Sequence, residues 1–145
     1  RSFQNYWKFN DKNRKAEKIE EIEKFLEELG SILPIDFEEY KNDFKIRAIC
    51  ERYFEKIIGA IIDLSFLVIK EKNLKIPEED KQAFDILGEE KIISKNLSER
   101  LKDAKGMRNI ITHDYGSIDN ELVFHAITEE LEKDTKEFIK KIKNV

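Results

Sequence analysis

"RAICERYFEKIIGAIIDLSFLVI" (residues 47–69) contains no proline and a single glycine, and its apolar residues recur at steps of three and four. That period belongs to an α-helix and not to the alternation of a strand. Asp36 stands where it can cap such a helix, and the apolar series Phe44, Ile49, Tyr53, Phe54, Ile57, Ile58, Ile61, Leu64, Leu67, Ile69 continues through it. One helix from Phe37 to about Lys70 is therefore expected, roughly 50 Å long at 1.5 Å per residue. A helix of that length is the natural backbone of a bundle. Its centre, residues 57–69, is apolar almost all round, which calls for burial on several sides, by other helices and by a second copy of the chain. Gly59 within it marks a close approach or a bend.

The flanking segments read the same way. Residues 11–29 place Ala16, Ile19, Ile22, Phe25, Leu26 and Leu29 at helical spacing, with Asn10 as N-cap and Gly30 as stop. Pro34 breaks the chain. Residues 71–76 form a loop, and Pro77 suits the first turn of a short helix reaching about Leu87. A further helix starts near Ser94, runs to the vicinity of Tyr115 and is ended by Gly116. Asp119 caps the last helix, whose stripe is Leu122, Val123, Ala126, Ile127, Leu131, Phe138, Ile139 and Ile142. No segment alternates with period two. The expected fold is an all-α antiparallel bundle of four to five helices with a long second helix, residues 11–145 forming one domain. The first ten residues, "RSFQNYWKFN", carry four aromatics and read as an extension, either a cloning remnant or an additional packing arm.

Composition bounds the function. A chain of 145 residues, 40% hydrophobic and 40% charged with five glycines, suits one helical domain with solvated faces. The single cysteine, Cys50, excludes an internal disulfide and lies in an apolar helical stretch, as a buried inert thiol would. No apolar run reaches membrane-spanning length and no signal-peptide pattern opens the chain, so a cytoplasmic location is expected, with no membrane partner. No His/Cys/Asp spacing suggests a metal site and no glycine-rich loop suggests a bound nucleotide, so neither metal nor cofactor is expected. His125 sits among apolar residues of the last helix and reads as a packing residue. The net charge of -4 rules out a global field for nucleic acid, yet residues 95–116 carry five cations against three acids. A phosphate-binding surface would be a local patch there.

Within that segment, "MRNIITHDYG" (residues 107–116) gathers Arg108, Asn109, Thr112, His113 and Tyr115. With Arg108 at zero and about 100° per residue, Thr112 falls near 40°, Lys105 near 60°, Asn109 near 100°, Lys102 near 120° and His113 near 140°. Met107, Ile110, Ile111, Ala104, Leu97 and Tyr115 occupy the opposite side, so Ile110 and Ile111 are expected to point into the bundle. Leu101, near 20°, is the one residue out of place. Arginine offers a fork of donors matched to phosphate, histidine exchanges a proton near neutrality, and asparagine can hold a hydroxyl or phosphate oxygen. Such a set suffices for RNA cleavage without a metal. The same residues also suit a plain helix end, where cations, His and Asn satisfy the macrodipole and the last carbonyls. Spacing alone leaves both readings open.

"RNIITHDY" (residues 108–115) has the form Arg, four residues, His, one residue, Tyr, between two helices of a small bundle. It resembles the HepT-like branch of the HEPN superfamily, toxin ribonucleases paired with minimal nucleotidyltransferases. Residues 47–69, 76–109 and 116–139 resemble the family's second helix, following segment and closing helix, so the likeness runs from about residue 15 onward. The resemblance implies that Arg108 and His113 are a catalytic pair in the cleft of a homodimer, supported by Asn109, Thr112, Lys105 and Lys102 as RNA-binding neighbours. It further implies that Tyr115 is the residue to which a nucleotidyltransferase antitoxin transfers AMP. For Tyr115 to be reached, its helix must end or bend before Gly116. Family members often carry a glutamate directly after "IIG"; here that position is Ala60, and Asp63 is the nearest acid one turn on. The competing reading is a non-catalytic helical domain that only binds a nucleotidyltransferase.

Overall fold

The computed structural model describes residues 3–33 and 35–145, with side chains from Arg14 onward except at Tyr115. In chain order the elements are α1 (Phe3–Gly30), α2 (Phe37–Asn42), α3 (Phe44–Glu71), α4 (Asp80–Glu89), α5 (Lys95–His113), a 3-10 turn (Tyr115–Ser117), α6 (Asn120–His125), a π turn (Ala126–Glu130) and α7 (Leu131–Lys143). Among the described residues there is no strand, and the all-α bundle is the fold. No described helix is long and apolar enough to cross a membrane. Helix α1 runs through Asn10, which therefore caps nothing. The side chains of the aromatic N-terminal stretch and the break expected at Pro34 lie outside the described residues.

The expected single second helix is two. Asp43 leaves helical geometry with φ −114 and ψ 98, and its carboxylate accepts from the backbone amides of Lys45 and Ile46 at 3.0 and 3.2 Å. An aspartate that can take both amides starts a new helix there, although the apolar spacing continues across it. Asp36, Ser94 and Asp119 cap α2, α5 and α6 as their sequence positions suggest. Pro77 instead precedes α4, which Glu79 opens.

Helix α3 is the axis. α1 lies antiparallel along it, from Lys15 beside Glu71 to Phe25 edge-on to Tyr53. α4, α5 and α7 cover its other sides. Ile57, Ile58, Ala60, Ile61, Ile62, Leu64, Val68 and Ile69 are all buried within the one chain. The chain's own helices thus bury most of the apolar centre, while Phe66 and Leu67 stay half-buried beside a groove between α1 and α3. At the far end α2 packs on α6 through Phe37, Tyr40 and Phe124, with Tyr40 and Phe124 ring centres 5.2 Å apart. Phe44 and Leu122, expected in the core, are exposed at 68% and 58%. His125, expected as a packing residue, is exposed too, 3.7 Å from Glu130.

The last helix carries its inward residues Val123, Ile127, Leu131 and Thr135 at three successive steps of four, which outruns the 3.6-residue period. The wider turn at Ala126–Glu130 absorbs the surplus, so residues on both sides of it still face the core.

Candidate active site

Helix α5 is placed by α4 and α3. Ser98 donates to the Phe84 carbonyl at 2.8 Å, and its Cβ lies 3.3 Å from the position a Cβ on Gly88 would take, so the two helices are close at that point. Lys102 reaches Asp85 at 2.8 Å and Glu99 at 3.5 Å, and Lys105 reaches Asp80 at 3.3 Å. The hydrogen bond to Asp85 holds the Lys102 ammonium above the usual lysine range, against the opposing effect of burial. Both lysines singled out beside the motif are therefore engaged with acids of α4, and the Lys105 side chain is only 12% exposed.

The buried face of α5 consists of Leu97, Ser98, Leu101 and Ile111, with Arg108 and Lys105 half-buried beside them. The helix is turned by about a quarter-turn from the orientation that its apolar residues suggested. Ile111 points inward as expected, but Ile110 is 42% exposed and belongs to the outer surface. Leu101, the misfit of the sequence pattern, marks the true inward direction. Arg108 consequently lies against α3 and does not project freely into solvent.

Its seat is specific. Arg108 Nε donates to the Glu55 carbonyl at 3.0 Å, and a Cβ on Gly59 would stand 3.2 Å from Arg108 Nη2. Gly59 is thus a close approach, as its place in the helix suggested, and what approaches is the arginine of the motif. A carbonyl fixes the guanidinium without cancelling its charge. One turn on, Thr112 Oγ1 donates to Glu55 Oε2 at 2.9 Å. Asn109 Oδ1 accepts from Lys105 Nζ at 2.7 Å, which leaves the donor end of the Asn109 amide directed elsewhere. His113 is exposed in the last turn, and the chain leaves the helix at Asp114, whose N–H donates to the Ile110 carbonyl at 2.9 Å. The structure so brings Arg108, Asn109, Thr112 and His113 together on one exposed helix end. It sets Lys102 and Lys105 to one side, against α4.

Tyr115 stands outside α5, in the 3-10 turn, because the helix stops two residues earlier; its side chain lies outside the described residues. Ala60 is buried, and Asp63 faces α1, 3.6 Å from Lys18. Neither serves the motif. The acid that does is Glu55, which sequence reasoning missed: "ERYFEK" offers several charged residues and nothing in its spacing separates Glu55 from the others.

Comparison with known proteins bears on this site. The family model described as ribonuclease HepT-like matches residues 17–142. The mRNA nuclease HepT of Shewanella oneidensis is 31% identical over 108 residues, 74% of this chain and 80% of that protein. The tRNA nuclease HepT of Aphanizomenon flos-aquae is 28% identical over 111 residues, 77% of this chain and 76% of its own. Among solved structures, a tri-AMPylated Shewanella oneidensis HEPN toxin in complex with MNT antitoxin superposes with a TM-score of 0.85 at 27% identity, covering 91% of this chain and 98% of that one. A toxin–antitoxin complex with AMP-PNP gives 0.85 at 26% identity, covering 92% and 99%. The matched region takes in α3, all of α5 and the Arg108–Tyr115 motif, and on that extent the chain belongs to the ribonuclease HepT-like family of HEPN RNA nucleases.

Proposed function

We propose that this chain is the toxin of a toxin–antitoxin pair, a cytoplasmic endoribonuclease that cuts RNA by attack of a 2′-OH on the adjacent phosphorus, with no metal required. The observation that carries the reading is the Arg108 cation, held on α3 by the Glu55 carbonyl and packed against Gly59, in the same final stretch of α5 as the exposed His113. His113 takes the 2′-OH proton or supplies one to the leaving 5′-oxygen. Arg108 stabilises the extra negative charge on the phosphoryl oxygens as the fifth bond forms. The products are a 2′,3′-cyclic phosphate and a free 5′-OH, which balances the transferred proton. Asn109 steadies a phosphate oxygen or hydroxyl, while Lys102 and Lys105, matched to acids of α4, leave Arg108 as the main cation for phosphate. A homodimer would bring two histidines to one cleft, allowing one to act as base and the other as acid.

Regulation by AMP transfer to Tyr115 from a minimal nucleotidyltransferase antitoxin completes the reading. It is supported by the relatives named as mRNA and tRNA nucleases, by the AMPylated neighbour bound to its antitoxin, and by the position of Tyr115 on a turn outside α5. An added nucleotide would bring negative charge and bulk beside Arg108 and His113 and compete with RNA. The deciding experiment compares purified wild type, Arg108→Ala and His113→Ala on an RNA pool in EDTA. Cleavage to cyclic-phosphate ends by wild type alone, at unchanged helicity, is the expected result. Equal cleavage by all three would refute the assignment, and no cleavage by any would favour the non-catalytic partner domain.

A further inference from the structure

We propose that Glu55 is a positioning residue that clamps the last turn of α5 and thereby holds His113 in register with Arg108; this rests on the reading of those two as the catalytic pair. One residue of α3 makes both bonds. Its main-chain carbonyl accepts from Arg108 Nε at 3.0 Å and its carboxylate accepts from Thr112 Oγ1 at 2.9 Å. Arg108 and Thr112 are four apart, so they lie on one face of α5, and fixing both sets the rotation of the helix end against α3.

The end needs such a device. The last four carbonyls of a helix lack intrahelical partners and its final turn frays unless packing or capping holds it. Here Asn109, Ile110, Thr112 and His113 are all exposed, and Ile111 is the buried anchor of the turn. The Thr112–Glu55 bond supplies a second anchor one residue before His113. Charge argues the same way. A carboxylate next to a phosphate site weakens RNA binding, so affinity for RNA does not account for its place there.

That opposition makes the role separable. Loss of the clamp should lower kcat, about tenfold or more given the cost of small misplacements, without raising KM for RNA. In Glu55→Ala the KM should fall, because a negative charge has gone; Thr112→Val, which keeps that charge, is read by kcat and by the exchange measurement. The double variant should be no worse than either single one, since both remove one interaction. Glu55→Gln keeps an oxygen acceptor for Thr112 and should retain most of kcat. Hydrogen–deuterium exchange gives a readout independent of activity: the amides of residues 111–114 should exchange faster in Glu55→Ala and Thr112→Val and remain protected in Glu55→Gln. Wild-type kcat in both single variants would overturn the proposal, as would unchanged exchange in that turn. Should the wild-type chain cleave no RNA, the nuclease reading falls by itself, and the exchange comparison still decides whether Glu55 holds the turn.

Discussion

A methyl group on Gly59 would meet the arginine of the motif first, since the three nearest heavy atoms to that position all belong to the Arg108 guanidinium, from 3.2 to 3.7 Å. Two consequences pull apart. An alanine inside a helix restricts the unfolded chain and favours the fold by about 0.5–1 kcal/mol. The same methyl displaces Arg108 by a few tenths of an ångström from the Glu55 carbonyl. Gly59→Ala should therefore unfold at equal or higher urea concentration while cleaving RNA more slowly; a slower enzyme that is also less stable would show that the guanidinium could not move aside. At this scale the sequence was informative about identity and blind to partnership. The close approach at Gly59 could be read directly. Glu55 could not, because a hydrogen bond between residues 57 apart leaves no mark in local spacing.

At the scale of elements, the periodic stretches and most of the caps were legible, and two of the misreadings, at Asp43 and in the rotation of α5, have a common cause. Apolar spacing continues across Asp43, and apolar residues line the outer side of α5, so in each case hydrophobic pattern outvoted a local signal. The signals were present: Asn42-Asp43 is cap chemistry, and Leu101 stood alone on the side that proved to face the core. α5 turns its half-buried cations inward because Asp80 and Asp85 on α4 offer them partners, which a single-helix projection does not contain. The Asp43 break carries its own test. Asp43→Ala removes the acceptor for two amides at the start of α3 and should cost about 1 kcal/mol. Chemical denaturation would read this as a lower midpoint at unchanged slope, and an unaltered midpoint would mean that packing of α2 against α3, not the cap, fixes the joint.

The whole molecule buries its one thiol in the axis helix. Cys50 is fully enclosed, and burial, with the charge of Glu51 adding to it, pushes its pKa from 9.0 to about 11. Between those values the unfolded chain has released the thiol proton while the folded chain retains it. The unfolded state then binds fewer protons, and stability falls as pH rises through that window. The difference in unfolding free energy between wild type and Cys50→Ala should accordingly shift against wild type from pH 9 to pH 11; a constant difference would show that the thiol does not titrate with unfolding. In the native state at neutral pH the same thiol should resist maleimide labelling until the bundle opens.

The pairing of Lys102 and Lys105 with α4 also reaches beyond the fold. A cation already matched to a carboxylate holds few condensed ions for an incoming polyanion to release. RNA docking at this helix end should therefore be driven by a small number of phosphate contacts, Arg108 foremost. For single strands each neutralised phosphate adds about 0.7 to the logarithmic salt slope. Binding measured by anisotropy across a potassium chloride series should give a slope of about −0.7 per site for Arg108 alone, against roughly −2 if Lys102 and Lys105 met phosphate as well. A shallow slope would mean that this protein selects RNA by the shape and chemistry presented at one helix end, and keeps its grip when ionic strength rises.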